Sequence, residues 1–177
     1  WSYQLKISPS EIPSRKEVYI ALENKLDELS RQKNPPDVIT FAGNGEPTMH
    51  PEFDGIVRDT ANLRDRFFPG CKISLLCNST LIHKKKIRSV LPLIDQNIFK
   101  LDTAIESTFL RLYKPAPGIT LHAIIENLAD WEGQKTMQTM LVKGRGEYRD
   151  IDNTTPEEIN ALVGAYRLID PGSVMIY

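Results

Sequence analysis

Short apolar runs recur along the chain, with longer amphipathic segments between them. Each apolar run is continuous rather than alternating, which is typical of parallel strands covered on both faces. We predict strands at residues 38–42, 73–77, 98–101, 137–142 and 174–176. Helical spacing of apolar residues predicts helices at residues 15–32, 53–63, 84–93, 106–113, 121–131 and 156–168. Strands that alternate with helices indicate an α/β fold.

The spacing of the predicted strands indicates parallel crossovers. Successive strands start roughly 25 to 40 residues apart, the length that a strand–helix–strand unit needs. Thr155 and Pro156 predict the start of the last helix, as N-cap and first-turn residue. The sheet is either open and doubly wound or curved into a barrel. In both architectures ligands bind beyond the carboxyl ends of the strands.

The loop after the first predicted strand, at residues 42–48, carries the most chemical information. Its sequence Ala-Gly-Asn-Gly-Glu-Pro-Thr contains two glycines, which let the backbone approach a ligand closely. Pro47 restrains Glu46 to extended geometry, so that a carboxylate and backbone carbonyls face the crevice. Such a set suits an ammonium group, and the loop lacks both glycine patterns that bind nucleotide phosphates. The alternative is a tight turn with a solvated Glu46.

Polar residues also follow the other predicted strands. Asn78 and Ser79 follow the second strand, where they either bind a ligand or cap the next helix. Asp102 follows the third strand and Lys143 the fourth, and the two either face the crevice or form an ion pair with each other. An amino-acid-like ligand would place its ammonium at Glu46 and its carboxylate at Asn78, Ser79 or Lys143.

Composition narrows the function classes. The net charge of -1 argues against strong attraction of the whole molecule to nucleic acid or to an anionic membrane. No apolar run approaches the ~18 residues of a membrane helix, so we expect no membrane partner and a cytoplasmic protein. The spacing of Cys71 and Cys77 fits neither a zinc nor an iron–sulfur pattern, and we expect Cys77 to be a buried reduced thiol. The lysines at 84–86 are expected to form a solvated helical face.

The first loop resembles a segment of radical S-adenosylmethionine (radical SAM) enzymes. Residues 39–51, Ile-Thr-Phe-Ala-Gly-Asn-Gly-Glu-Pro-Thr-Met-His-Pro, resemble the Gly-Gly-Glu-Pro segment of that family's second strand. They are most similar to the branch of Fe–S oxidoreductases related to the tRNA wybutosine-synthesis enzyme. Weaker similarities follow in family order at residues 76–80, 99–103, 112–115, 141–144 and 174–177. Together these segments span essentially the whole chain.

This resemblance implies a partial (β/α)6 TIM-type barrel of parallel strands that binds S-adenosylmethionine beside a [4Fe–4S] cluster. Reductive cleavage of the bound cofactor would give a 5′-deoxyadenosyl radical, which abstracts hydrogen from an unknown substrate. The turn at 45–47 would hold the ammonium of the methionine moiety. Residues 78, 79 and 102 would meet its carboxylate or ribose, and Lys143 its carboxylate or the substrate. The expected cofactor-binding residues are Gly43, Asn44, Gly45, Glu46, Pro47, Thr48, Asn78, Ser79, Asp102 and Lys143.

The sequence also departs from the family. The C-x-x-x-C-x-x-C cluster loop and the first strand are absent, and two cysteines cannot replace three thiolates at that spacing. The chain starts at Trp1 without Met and ends at Tyr177 inside a predicted strand. We therefore expect residues 1–177 to be one core domain, incomplete at both ends and inactive alone, with the cysteines upstream in a longer enzyme. That enzyme would need an electron donor such as a flavodoxin or ferredoxin, and exposed edges favour a homodimer of the fragment.

Two other functions stay open. One is a non-radical barrel enzyme in which Glu46 is a general base and Lys143 an electrophile. The other is a catalytically inactive barrel that serves as a binding or regulatory domain. The sequence does not distinguish tRNA from a peptide or a small molecule as substrate.

Overall fold

The computed structural model of the chain describes residues 12–42, 45–144 and 151–177. The helices are α1 (Arg15–Arg31), α2 (Phe53–Phe67), α3 (Lys85–Arg88), α4 (Glu106–Tyr113), α5 (Leu121–Ala129) and α6 (Pro156–Ile169). The strands are β1 (Val38–Phe41), β2 (Lys72–Cys77), β3 (Gln96–Lys100), β4 (Thr136–Thr139), β5 (Lys143–Gly144), β6 (Ile151–Asp152) and β7 (Ser173–Ile176). Short 3-10 helices cover Pro47–Met49 and Leu91–Leu93. Helices alternate with strands β1 to β4 and β7, except that α4 and α5 both lie between β3 and β4.

Five strands form one parallel sheet in the order β1-β2-β3-β4-β7. A doubly wound sheet reverses its strand order at a switch point. The order here follows the chain without a reversal, so each crossover sets the next strand beside the previous one. β5 and β6 form a separate antiparallel pair. The chain is thus a mixed α/β protein with a parallel five-stranded sheet, and this winding is compatible with part of a barrel.

Helices α2 to α6 pack against one face of the sheet, and α1 packs against α2. Ile73 and Cys77 of β2, Phe99 of β3 and Met137 of β4 lie in a single buried apolar layer with residues of the surrounding helices. Because successive side chains alternate between the faces of a strand, the neighbouring residue Lys100 lies on the opposite face. No helix in the described ranges is long and apolar enough to cross a membrane.

Local signals explain where the helices begin and end. The side chain of Thr155 accepts a hydrogen bond from the Glu158 amide, which confirms the predicted cap of α6. α4 ends where Lys114 takes a left-handed conformation before Pro115, which could not continue the helix. α3 is shorter than predicted because Pro92 has no amide hydrogen and would clash with the preceding turn, so that the chain tightens into the 3-10 helix Leu91–Leu93.

The strands depart from the prediction in three ways. The expectation that both faces are covered is wrong at the edges, since all four residues of β7 are exposed and Val38 of β1 is 42% exposed. Each edge strand has a sheet neighbour on one side only. β4 ends at Thr139, earlier than predicted, because the Met140 amide donates to the side chain of Asp102 instead of to a strand. Lys143 consequently lies in β5, an element that the apolar pattern did not predict.

Candidate functional site

The carboxyl ends of the parallel strands bring several predicted residues to one edge of the sheet. Phe41 of β1 lies beside Leu75 of β2, and Cys77 lies beside Phe99 of β3. The loops that follow these strands therefore start next to one another. Gly43 and Asn44 lie outside the described residues, and the predicted positions from 45 onward can be placed.

Glu46 joins the loop after β1 to the end of β2. Its backbone is extended, as the following Pro47 requires, and it caps the 3-10 helix Pro47–Met49. Oε1 accepts hydrogen bonds from the amide of Thr48 at 3.1 Å and from its hydroxyl at 2.5 Å. Oε2 accepts a hydrogen bond from the amide of Asn78 at 2.7 Å. The alternative of a solvated Glu46 is therefore wrong, because its carboxylate fixes two neighbouring strand ends.

The carboxylate of Glu46 is surrounded by donors of the chain itself on the side of β2. Thr48 and Asn78 supply three hydrogen bonds, and the Cys77 thiol interacts with the same carboxylate from the core. At Gly45, the residue before Glu46, a hypothetical Cβ would meet no atom within 4 Å, so there is open space at this point of the loop. A cationic group that entered this space would be attracted by the charge of the Glu46 carboxylate.

Cys77 lies beneath this carboxylate, in the core. Its Sγ accepts a hydrogen bond from the amide of Ser79 at 3.2 Å. Burial raises the pKa of the Cys77 thiol well above its ordinary value, and the charge of Glu46 raises it further. Cys71 is also buried and reduced. The prediction of a buried reduced thiol at Cys77 is confirmed, and a protonated thiol of this kind is a poor metal ligand.

Asn78 and Ser79 have different roles at the end of β2. The Oδ1 atom of Asn78 accepts hydrogen bonds from the amide of Thr80 at 3.0 Å and from its hydroxyl at 2.7 Å, which closes a tight turn. α3 begins only at Lys85, so the alternative that this segment caps the next helix is wrong. Ser79 is buried in a left-handed conformation with φ 70°, and its hydroxyl donates to the Lys100 carbonyl at 3.4 Å. Asn78 therefore remains half-exposed at this edge, whereas Ser79 is part of the interior.

Asp102 is fully buried, and both of its carboxylate oxygens have partners. Oδ1 accepts from the Met140 amide at 2.8 Å, and Oδ2 accepts from the Tyr113 hydroxyl and from Lys100 Nζ at 3.2 Å. Burial raises the pKa of the Tyr113 hydroxyl, and the charge of Asp102 adds to this effect. Lys100 Nζ also donates to the hydroxyl of Tyr177 at 3.0 Å. Asp102 thus holds a polar network together.

The ammonium of Lys100 is kept protonated by this network. Burial by itself lowers the pKa of Lys100, but the hydrogen bond with Tyr177 and the charge of Asp102 outweigh it, so the pKa is raised. Lys100 lies within the predicted strand 98–101, and no role was predicted for it. Its charge inside an otherwise apolar run was the feature that could have marked it as a functional residue.

Lys143 lies apart from these clusters. Its Nζ pairs with Asp152 Oδ2 at 3.0 Å across β5 and β6, and its side chain is 77% exposed. The alternative of an ion pair between Asp102 and Lys143 is wrong, because Asp102 pairs with Lys100. The structure thus brings Glu46, Thr48 and Asn78 together, and Ser79 connects them through its hydrogen bond to the network around Asp102.

Asn153 was not among the predicted site residues, although its side chain joins the segments at the carboxyl ends of β3 and β4. Its Nδ2 donates to the carbonyls of Asp102 and Met140 at 2.8 and 2.7 Å, and its Oδ1 accepts from the Val142 amide at 2.6 Å. The residue is fully buried. No motif or periodicity in the sequence marks it.

Comparison with known proteins gives a limited identification. No protein-family model matches the chain. The chain is 29% identical over 127 residues to a UPF0026 protein of Helicobacter pylori, a match that covers 70% of this chain and 39% of that protein. It is 25% identical over 140 residues to a UPF0026 protein of Methanocaldococcus jannaschii, covering 77% of this chain and 41% of that one. The chain is similar to UPF0026 proteins and spans about two-fifths of the length of these curated relatives.

The chain is also similar to two proteins that have other names, one in sequence and one in fold. The chain is 27% identical over 144 residues to a protein of Brachyspira hyodysenteriae named GTPase Obg, which covers 79% of this chain and 19% of that protein. The G-x-x-x-x-G-K-[ST] phosphate-binding pattern is absent from this sequence. Among solved structures, Streptococcus suis SuiB has a similar fold, with a TM-score of 0.62 and 16% identity over 89% of this chain and 32% of SuiB. That likeness concerns the fold alone.

Proposed function

We propose that this chain is part of the core of a radical SAM enzyme, a partial (β/α)6 barrel in which the loop at Gly45 to Thr48 and Asn78 hold the amino-acid end of S-adenosylmethionine. The observation that carries the proposal is the carboxylate of Glu46, which is fixed between two strand ends beside open space at Gly45. The resemblance of residues 39–51 to the family's second-strand segment supports the same ligand.

The residues at this edge fit an amino acid. The ammonium of the methionine moiety would meet the carboxylate of Glu46. The Oδ1 atom of Asn78 is occupied by Thr80, and its Nδ2 has no partner among the described contacts, so that this amide is a donor for the ligand carboxylate. The carboxylate of Glu46 therefore suits the positive ammonium of the ligand, and the amide of Asn78 suits its negative carboxylate.

Asp102 fits a supporting role better than a direct one. Its carboxylate is fully buried and already accepts three hydrogen bonds. We propose that it positions Lys100 and does not contact the ribose itself. Lys143, which pairs with Asp152 on an exposed hairpin, would reach the ligand only if that ion pair opened.

The described residues do not fit the [4Fe–4S] cluster. They include no group of three His, Cys, Asp or Glu side chains that could hold a metal ion. Cys71 and Cys77 are buried, and the pKa of each thiol is raised by burial. In the proposed enzyme the cluster would be bound by other parts of the protein, and it would supply the electron that cleaves the cofactor.

Calorimetry with S-adenosylmethionine tests the binding site. Asn78→Asp keeps an oxygen for the turn with Thr80 and replaces the amide donor with a negative charge, so we expect at least about tenfold weaker binding. Asn62→Asp on the exposed surface of α2 makes the same change in charge away from the site, and it should bind as the original chain does. Glu46→Gln removes the charge that the ammonium meets and should also weaken binding. The proposal is wrong if the intact protein shows no affinity, or if Asn78→Asp and Asn62→Asp behave alike.

The radical chemistry needs a second test on the full-length protein. The gene should encode a C-x-x-x-C-x-x-C triplet upstream of Trp1. After anaerobic reconstitution with iron and sulfide, the protein should show a cluster absorption band that S-adenosylmethionine changes. Absence of the triplet would exclude the radical reaction and leave a binding domain as the better explanation.

The structure favours neither of the alternatives. A non-radical enzyme would need Glu46 and Lys143 to act on the same substrate, but the two side chains have separate partners in the described structure. An inactive regulatory barrel has no specific observation in its support, and the upstream sequence distinguishes it from an enzyme.

A further inference from the structure

A cavity of about 260 Å³ adjoins the Glu46 cluster, between the loop after β1 and the loop after β2, and Thr48 and Thr80 line it on that side. Met49, Pro51, Leu81 and Ile87 supply apolar walls, and Lys84 stands at its margin. Binding sites for whole small molecules usually start at about 300 Å³, so a cavity of this size can hold one side chain of a larger partner.

One wall of the cavity is held by hydrogen bonds, and another is formed by an exposed side chain. The His50 ring uses both nitrogens, since Nδ1 accepts from the Glu52 amide at 3.0 Å and Nε2 contacts the Pro13 carbonyl at 2.8 Å. These two contacts hold the ring in place. Met49 is 55% exposed, and its flexible thioether side chain can adapt to an apolar guest.

Positive charge borders the cavity on one side. Lys86 is compensated, because its Nζ donates to the Pro51 carbonyl at 2.6 Å and pairs with Asp54 at 3.0 Å. Lys84 and Lys85 are exposed, and neither takes part in an ion pair within the described ranges. One lysine without an ion pair in the described ranges, Lys84, thus lines the partly apolar cavity, and a second, Lys85, follows it in the chain, whose net charge is -1.

We infer that the cavity together with Lys84 and Lys85, here called the docking surface, binds an acidic segment of a partner protein, with one apolar side chain of that segment in the cavity. A buried apolar anchor surrounded by polar contacts is the usual source of affinity in a protein interface. Complementary charge at the rim orients the partner and speeds association. The docking surface borders the proposed cofactor site, because Thr48 belongs to both, but its two lysines take no part in that site.

A nucleic-acid partner fits this docking surface less well. Single-stranded RNA or DNA is held by aromatic side chains on which the bases stack, in addition to positive charge. The aromatic residue of the cavity wall, Phe53, is only 2% exposed and belongs to the core. The other ring of the wall, His50, is half-exposed and already uses both of its nitrogens. The surface therefore offers little for a base to stack on, whereas the cavity can accept an aliphatic or aromatic side chain.

Fluorescence anisotropy with a labelled peptide, Glu-Glu-Asp-Phe-Glu-Asp-Glu, tests the inference. We expect the peptide to bind the 177-residue chain with an affinity that falls as salt rises. The double variant Lys84→Glu/Lys85→Glu should bind it about tenfold more weakly or worse. Lys16→Glu/Lys33→Glu makes the same change in net charge on α1 and just after it, and should stay within about twofold. Replacing the peptide's Phe with Ser should cost about as much as the lysine reversals, since it removes the anchor.

Three results would overturn the inference. The first is no binding of the acidic peptide, and the second is an equal loss in both double variants, which would mean that only bulk charge matters. The third is tighter binding of a uridine-rich single-stranded RNA that depends on the same two lysines. The unfolding midpoint and the S-adenosylmethionine affinity of Lys84→Glu/Lys85→Glu should be unchanged, so failure here is distinguishable from failure of the proposed cofactor site.

Discussion

Removing the side chain of Asn153 should cost far more stability than an ordinary Asn→Ala substitution. The three hydrogen bonds of this side chain join the segment after β3 to the segment after β4. A neutral hydrogen bond contributes about 1 kcal/mol, so the three together are worth about 3 kcal/mol. Asn153 is fully buried, and its loss leaves two carbonyls and an amide without partners in the interior. We therefore expect Asn153→Ala to lower the free energy of unfolding by about 3 to 5 kcal/mol.

Urea unfolding followed by circular dichroism measures this difference. Asn127→Ala is the matched control, because its side chain is half-buried and donates one hydrogen bond, to the Ala123 carbonyl at 2.6 Å. The control should lose about 1 kcal/mol or less. If Asn153→Ala loses no more than Asn127→Ala, the side chain of Asn153 does not hold these segments together and the reasoning fails.

Three further outcomes follow from conformation, burial and charge. Lys33 has φ 53° just after α1, a left-handed conformation that strains a side chain but not glycine. Lys33→Gly should therefore raise the free energy of unfolding in urea by about 0.5 to 1 kcal/mol, and a decrease would contradict this reasoning. Neither Cys71 nor Cys77 should react with Ellman's reagent at pH 8 until the chain unfolds, because burial raises the pKa of both thiols; rapid reaction of the native chain would show that one is accessible. Hydrogen bonds from Thr154 and the charge of Lys143 lower the pKa of Asp152 to about 2, so the stabilisation of the β5–β6 pair should persist at pH 4 and disappear as the pH falls through about 2. An NMR titration of the Thr154 amide should have its midpoint there, and a midpoint at the ordinary carboxyl value of 3.8 would refute this.

The parallel sheet could be predicted because its strands and helices have strong local patterns. Each of the five sheet strands and six helices overlaps a predicted segment, and α4 has the predicted bounds, residues 106–113. The β5–β6 pair was not predicted because each strand has only two residues, too few to show an alternation of apolar and polar positions. The end of β4 also could not be predicted from the apolar pattern, because it is set by the side chain of Asp102, which follows β3 and accepts a hydrogen bond from the Met140 amide.

The candidate site was predictable to the extent that chain order and loop chemistry determine it. Parallel winding was enough to place Glu46 near Asn78, and the structure confirms their contact. The sequence could not show that the same carboxylate is occupied by Thr48, or that Asp102 is buried, because hydrogen-bond partners depend on three-dimensional packing. The prediction that Lys143 joins the site assumed that β4 continues to residue 142, and the structure places Lys143 in a hairpin instead.

The regular winding of the sheet has an evolutionary consequence. Each strand end is adjacent only to the ends of the strands before and after it in the main sheet. A crossover can therefore lengthen or change its composition while more distant strand ends keep their positions. The contact between the β1 and β2 loops can persist while more distant crossovers change, provided that the hydrogen bonds of Asn153 to the ends of β3 and β4 are kept. Such a layout lets related proteins acquire different specificities around one retained pair of loops.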